Sequence, residues 1–138
     1  MSSATPPGGG GIYLLDTSIL ILSLRSDSAV RARLAATTQL YIASTALGEL
    51  YFGAYGSPTR ASAALTDVAS LAASYPILGT DAVTADVYGR IKQDLKRGGL
   101  IMPDNDLWIA AVSIQYDVTL AARDAHFNWI TGLHVEQW

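Results

Sequence analysis

The sequence contains no cysteine, which excludes disulfides and thiolate metal sites alike. Its two histidines, His126 and His134, are too few to assemble an ordinary zinc site. Charge is scarce as well. Only 15% of the residues are charged, 9 basic against 12 acidic, so there is no global basic footprint for nucleic acid. That balance counts against a nucleic-acid partner held by side-chain charge alone, but leaves room for one held by cations and a local basic strip. No stretch approaches the roughly 18 apolar residues of a membrane-spanning helix, and the N-terminus lacks the basic start and long apolar centre of a signal peptide. A cytoplasmic protein without membrane attachment is expected. With no G-x-S-x-G, no cysteine nucleophile and no P-loop, nucleophilic side-chain chemistry and nucleotide cradling find no support.

What remains is 138 residues, half of them hydrophobic, enough for one domain that buries its core without staples. Residues 1–11 are small, Pro-containing and Gly-rich and read as a flexible tail, leaving 12–138 as the folded domain. Strands and helices alternate through that domain. Short continuous apolar runs predict strands at Ile12–Asp16, Leu40–Ala43, Ile77–Gly79 and Val118–Ala122, with a fifth at Leu133–Glu136. Helical segments are predicted from Ser18 through Leu22, over Ser28–Ala36, from an N-cap at Ser44 to Gly56, and over Arg60–Ala73. Thr80-Asp81 caps a further helix to about Arg97, stopped by Gly98-Gly99, and Pro103-Asp104-Asn105 opens the last, Asp106–Tyr116. Such alternation implies a parallel sheet with helices on both faces, joined by right-handed crossovers.

Four acids then stand out by position. Asp16 and Asp124 follow buried strands and so fall at the carboxyl edge of the sheet, where open α/β sheets bind ligands. Glu49 lies about a turn and a half into a helix that leaves that edge. Asp106 begins a helix running back toward the fourth strand, so its N-terminus lies at the same edge. Unit charges about 4 Å apart repel by roughly 4 kcal/mol at an effective dielectric near 20. A divalent cation is the usual remedy, and with oxygen ligands it would be Mg2+ or Mn2+ before Ca2+. Acid clusters of this kind cleave phosphodiesters by activating water.

Around the four acids, a Thr17 or Ser18 hydroxyl is placed to orient a carboxylate or a metal water. Asp104 and Asn105 are also near; either would make an ordinary N-cap, and the cap is the favoured role for Asp104 over a metal-proximal one. Arg90, Lys92, Lys96 and Arg97 read as a solvated helix face and the best candidate for holding an RNA backbone. Arg123 serves equally well to reach a phosphate or to balance the acids. His126 reads as a packed or surface residue rather than a ligand. Tyr51, Phe52, Tyr55, Tyr88 and Trp108 recur at helical spacing and read as core or interface.

The segments LLDTSIL (14–20), STALGELYFG (44–53), MPDNDLWIAA (102–111) and LAARDAHF (120–127) together resemble the PIN-domain nucleases, above all the VapC-type toxins of toxin–antitoxin pairs. The resemblance spans Ile12 to about Gln137. It implies a three-layer α/β/α sandwich with a parallel five-stranded sheet, and an Mg2+- or Mn2+-dependent endoribonuclease acting on RNA such as a tRNA. It further implies inhibition by a cognate antitoxin and a homodimer. The family's acidic quartet falls on Asp16, Glu49, Asp106 and Asp124, and its polar residue after the first aspartate on Thr17 or Ser18. Two other roles fit the same motifs: a nuclease of RNA processing, and a non-catalytic interaction module. A phosphatase with an aspartate after the first strand expects a second aspartate two residues on, where this chain has Ser18.

Overall fold

The computed structural model describes residues 11–138, so the tail expected over 1–11 lies, but for Gly11, outside the described residues. The chain runs β1 (Ile12–Leu15), α1 (Thr17–Leu24), α2 (Ser28–Ala36), β2 (Gln39–Ala43), α3 (Ser44–Tyr55), α4 (Ala61–Ser74), β3 (Ile77–Leu78), α5 (Ala82–Arg97), α6 (Asp104–Gln115), β4 (Thr119–Ala122) and β5 (Val135–Gln137). All five strands pair in parallel, in the order β3-β2-β1-β4-β5. The chain steps outward from β1 to β2 to β3, then returns to β4 on the far side of β1. Right-handed crossovers therefore carry the helices of the two halves to opposite faces, which makes the three layers. Among the described residues no helix is long and apolar enough to cross a membrane.

The central strands are buried on both faces. Tyr13, Leu14 and Leu15 of β1 and Leu120, Ala121 and Ala122 of β4 are almost wholly inaccessible, as strands covered by helices on both sides must be. Ala43, Ala110 and Ala111 are equally buried, and their small side chains let α3 and α6 approach the sheet.

The local differences from expectation have physical causes. Helix α3 starts directly at the end of β2, so the N-cap position is Ala43 and Ser44 is already helical, with no side-chain cap. Helix α6 begins at Asp104 after Pro103, which makes Asp104 a first-turn residue rather than a cap. Asp81 does form the expected cap: it accepts from the Val83 and Thr84 amides while the Thr84 hydroxyl accepts from the Asp81 amide. At the other end of α5 the left-handed residue is Gly99 (φ 73°), and the Leu100 amide reaches back to the Leu95 carbonyl. A short 3-10 turn, Ala125–Trp129, which the apolar pattern did not suggest, separates β4 from β5.

Beside β5, one carboxylate organises a polar cluster. Glu136 accepts from the Tyr13 hydroxyl (2.7 Å), the Arg33 guanidinium (2.8 Å) and the Trp138 indole (3.1 Å). Burial, then the Glu136 carboxylate, pushes the Tyr13 phenol up to about 12. Glu136→Ala would strand the buried Tyr13 hydroxyl and a half-buried guanidinium. It is expected to lower unfolding stability by about 2 kcal/mol, seen as an earlier denaturant midpoint with an unchanged slope.

Candidate active site

Asp16 is held at the switch point of the sheet. Its amide donates to the Ala121 carbonyl (3.0 Å), extending the β1–β4 ladder by one residue, and its carbonyl accepts from the Ile19 and Leu20 amides that open α1. The backbone thus turns from strand to helix at this residue and leaves the carboxylate at the carboxyl edge between β1 and β4, the crevice where the strand order reverses. Asp124 lies two residues beyond β4 at the same edge. Glu49 stands in the second turn of α3, and Asp106 in the first turn of α6.

Hydroxyls orient two of the four. Ser18 Oγ donates to Asp16 Oδ2 at 2.8 Å, and Thr17 Oγ1 donates to Glu49 Oε1 at 3.0 Å, joining the start of α1 to α3. The remaining oxygen, Asp16 Oδ1, is buried with no hydrogen-bond partner, and the residue is only 4% exposed. A carboxylate oxygen left so is costly unless a cation or proton reaches it.

Three of the four carboxyls are raised by burial and by the charge of neighbouring acids. Burial, opposed by the Ser18 hydroxyl and the Thr17 and Ser18 amides, raises the Asp16 carboxyl above its ordinary range, and Asp124 adds to the rise. Burial also raises Glu49, with Thr17 opposing and Asp16 adding. Asp106 is pushed up to about 6, first by burial and then by the charges of Asp16, Glu49 and Asp124. The charge contributions to these rises come from acids gathered at one edge.

Among the described residues, no three His, Cys, Asp or Glu side chains are clustered tightly enough to enclose a metal ion by themselves. The donor set nevertheless fits a hard divalent cation, because it offers carboxylate oxygens, one of them buried and unpartnered, with an open cleft on the Glu49 side. Asp16, the most buried of the four, and Asp106, whose carboxyl feels the charges of the other three, are the first candidates to hold it. Glu49 and Asp124 flank them.

Other residues singled out from the sequence lie elsewhere or already have partners. Asp104 accepts from the Tyr88 hydroxyl and from Lys92 Nζ, both at 2.9 Å, so it ties α6 to α5 rather than facing the acids. Lys92 is thereby neutralised and Arg97 pairs with Asp94 (3.2 Å); Arg90 and Lys96 are exposed without an ion pair among the described residues. Arg123 neither balances the acids nor stands free for a phosphate. Its guanidinium donates to the Trp138 carbonyl and reaches Asp27. Asp124 also caps the 3-10 turn, accepting from the His126 amide, and His126 Nδ1 lies 2.9 Å from the same carboxylate oxygen. Asn105 does border the site, lining a cleft with Glu49. Tyr88 and Trp108 stack on each other at 4.0 Å, whereas Phe52 and Tyr55 are exposed rather than core.

One feature escaped the sequence reading. A groove of about 320 Å3 between α1, α3 and α4 has an apolar floor at Leu24, Leu50 and Val68, two cations at Arg25 and Arg60, and Glu49 in its lining. Arg25 and Arg60 sit singly between elements, with no run or period to mark them.

An open parallel α/β sheet with carboxylates gathered at its switch point defines the class: proteins that hold charge-rich ligands at the carboxyl edge of the sheet. Within it, the chain belongs to the PIN domain family, whose sequence profile matches residues 13–132. It is 29% identical over 133 residues to a protein named Ribonuclease VapC2 from Rickettsia felis, covering 92% of this chain and 98% of that one. Among solved structures it resembles a chain of VapBC2 from Rickettsia felis bound to a promoter DNA fragment, with a TM-score of 0.85 and 26% identity over 92% of this chain and 98% of that chain. A chain of DNA-bound VapBC from Salmonella typhimurium matches with a TM-score of 0.86 and 25% identity, over the same shares of each.

Proposed function

We propose that this chain is a divalent-cation-dependent endoribonuclease acting as the toxin of a toxin–antitoxin pair, with Asp16, Glu49, Asp106 and Asp124 as its acidic centre. The observation that carries the reading is the buried, unpartnered Asp16 Oδ1 at the edge where Glu49, Asp106 and Asp124 gather, with the charges of Asp16, Glu49 and Asp124 raising the Asp106 carboxyl. The PIN family and relatives named as VapC ribonucleases support the RNA substrate.

Asp16 and Asp106 would hold the cation, Mg2+ or Mn2+, with Glu49 and Asp124 beside them. When bound, the cation supplies an acidified water and a positive charge opposite the scissile phosphate. The chain's own work is placement. Ser18 fixes one oxygen of Asp16 and leaves the other free; Thr17 fixes one oxygen of Glu49, so the second can accept a proton from an attacking water. No side chain of the site is needed as a nucleophile.

The antitoxin reading draws on VapBC complexes among the similar structures. The groove between α1, α3 and α4 suits a short amphipathic segment of such a partner, and an arginine on it would meet Glu49.

The test is induction in a bacterial host. Growth arrest with cleavage of a structured RNA, tRNA being the first to examine, and relief by a small protein encoded beside the gene are the expected results. RNA cleavage without growth arrest would place the chain in RNA processing instead. Neither cleavage nor cation binding would make it an interaction module.

A further inference from the structure

We propose that Phe52 is a stacking platform that holds an unpaired RNA base beside the acidic centre. This rests on the ribonuclease reading and adds to it the form of substrate the site accepts. Phe52 lies three residues after Glu49 on α3, on the same side of that helix. Both line one open cleft of about 520 Å3, together with Thr45, Gly48 and Asn105. The ring is 83% exposed on a helix whose Leu47, Leu50 and Ala54 are buried, so core packing does not account for it.

The cleft is shaped for a flat, partly polar group. A Cβ added at Gly48 would meet nothing within 4 Å, so the helix surface next to Glu49 and one turn before Phe52 presents bare backbone under open space. Glycine inside a helix costs about 1 kcal/mol relative to alanine, and no close packing at Gly48 requires it. The opposite wall comes from Asn105, adjacent in sequence to Asp106, whose amide can both donate to and accept from a base edge or a 2′-hydroxyl.

Electrostatics favours a contact of this kind. The chain carries a net charge of −3, and two of the four cations on the α5 strip are already paired. A contact that does not depend on charge would add to what the remaining cations supply, and stacking is such a contact, tolerant of sequence. A ring beside the acids also selects single-stranded or looped RNA, since a paired base has no free face to offer.

Cleavage kinetics on a short single-stranded RNA test the proposal with Phe52→Ala, Phe52→Leu and Phe52→Tyr. Loss of a stacked base is expected to raise KM about 10-fold in the alanine and leucine variants, while tyrosine stays within about 2-fold of wild type. A second readout avoids catalysis. RNA carrying 2-aminopurine at the unpaired position is bound to the Asp106→Asn protein, where stacking on Phe52 should quench the probe and Phe52→Ala should restore its emission. Unchanged KM and equal emission would overturn the platform alone, provided the wild type cuts RNA. A KM rise that tracks dissociation of an oligomer in sedimentation velocity would overturn it too and assign the ring to a second copy of the chain. A wild-type protein that cuts no RNA overturns the platform and the ribonuclease reading together.

Discussion

Asp106→Asn should remove RNA cleavage, by about 100-fold or more, while making the cation-free protein harder to unfold. Few substitutions in a folded core do both. The combination follows from the cluster. The carboxyl of Asp106 is pushed up to about 6 by burial and by Asp16, Glu49 and Asp124, so its charge is unwelcome in the fold at neutral pH. An amide of the same shape relieves that repulsion. After discounting for partial exposure, the gain is about 1 kcal/mol, a rise in Tm of about 3 °C for a domain of this size. If the residue were instead a simple dipole-complementing acid at the start of α6, its removal would lower stability slightly and leave cleavage intact. Differential scanning calorimetry beside a cleavage assay separates the two cases.

The second large effect is on pH. The folded carboxyl of Asp106 binds its proton more tightly than the unfolded chain does. Between about pH 4 and pH 6 the folded state therefore holds the extra proton. Its contribution to stability is fully present below the ordinary carboxylate value and is lost as pH rises through about 6; Asp16 and Glu49, also raised, act in the same direction. Asp81 and Asp104 have lowered carboxyls and the opposite sign, but their window lies below the ordinary value, so the effects do not overlap. A bound divalent cation competes with the same protons. At pH 7.5, Mn2+ at about 100 times its dissociation constant should stabilise the fold by about 2.7 kcal/mol, several degrees in Tm. At pH 5 most of that stabilisation should be gone. A thermal shift equal at both pH values would mean that the cation binds away from the acids.

Much of the framework could be read before the structure. The runs Ile12–Leu15 and Val118–Ala122 announce buried parallel strands because no charged residue interrupts them. Once the strands alternate with helices, the crossover rule brings Asp106 to the same edge as Asp16. What could not be read depends on partners far away in sequence. Asp104 looks like a cap locally, but Tyr88 and Lys92 on α5 offer it stronger company. Arg123 is next to Asp124 yet points away from it, since successive side chains on extended backbone leave in opposite directions, and the Trp138 carbonyl and Asp27 receive it. Ser44 loses its cap because no loop intervenes between β2 and α3. The contact of Thr17 with Glu49 spans 32 residues; the sequence suggests a hydroxyl near the acids, and only the packing of α1 on α3 says which acid it holds.

In the proposed function these carboxylates set up water to attack a phosphodiester. Cleavage in water enriched in 18O tests it most directly, because the oxygen of the attacking group stays on phosphorus. The expected products are a 3′-hydroxyl on one fragment and an 18O-labelled 5′-phosphate on the other, both lost in Asp106→Asn. A 2′,3′-cyclic phosphate with no label, formed at the same rate in the Asp106→Asn protein, would mean that the RNA's own 2′-hydroxyl is the nucleophile and that the acid cluster is not the machinery.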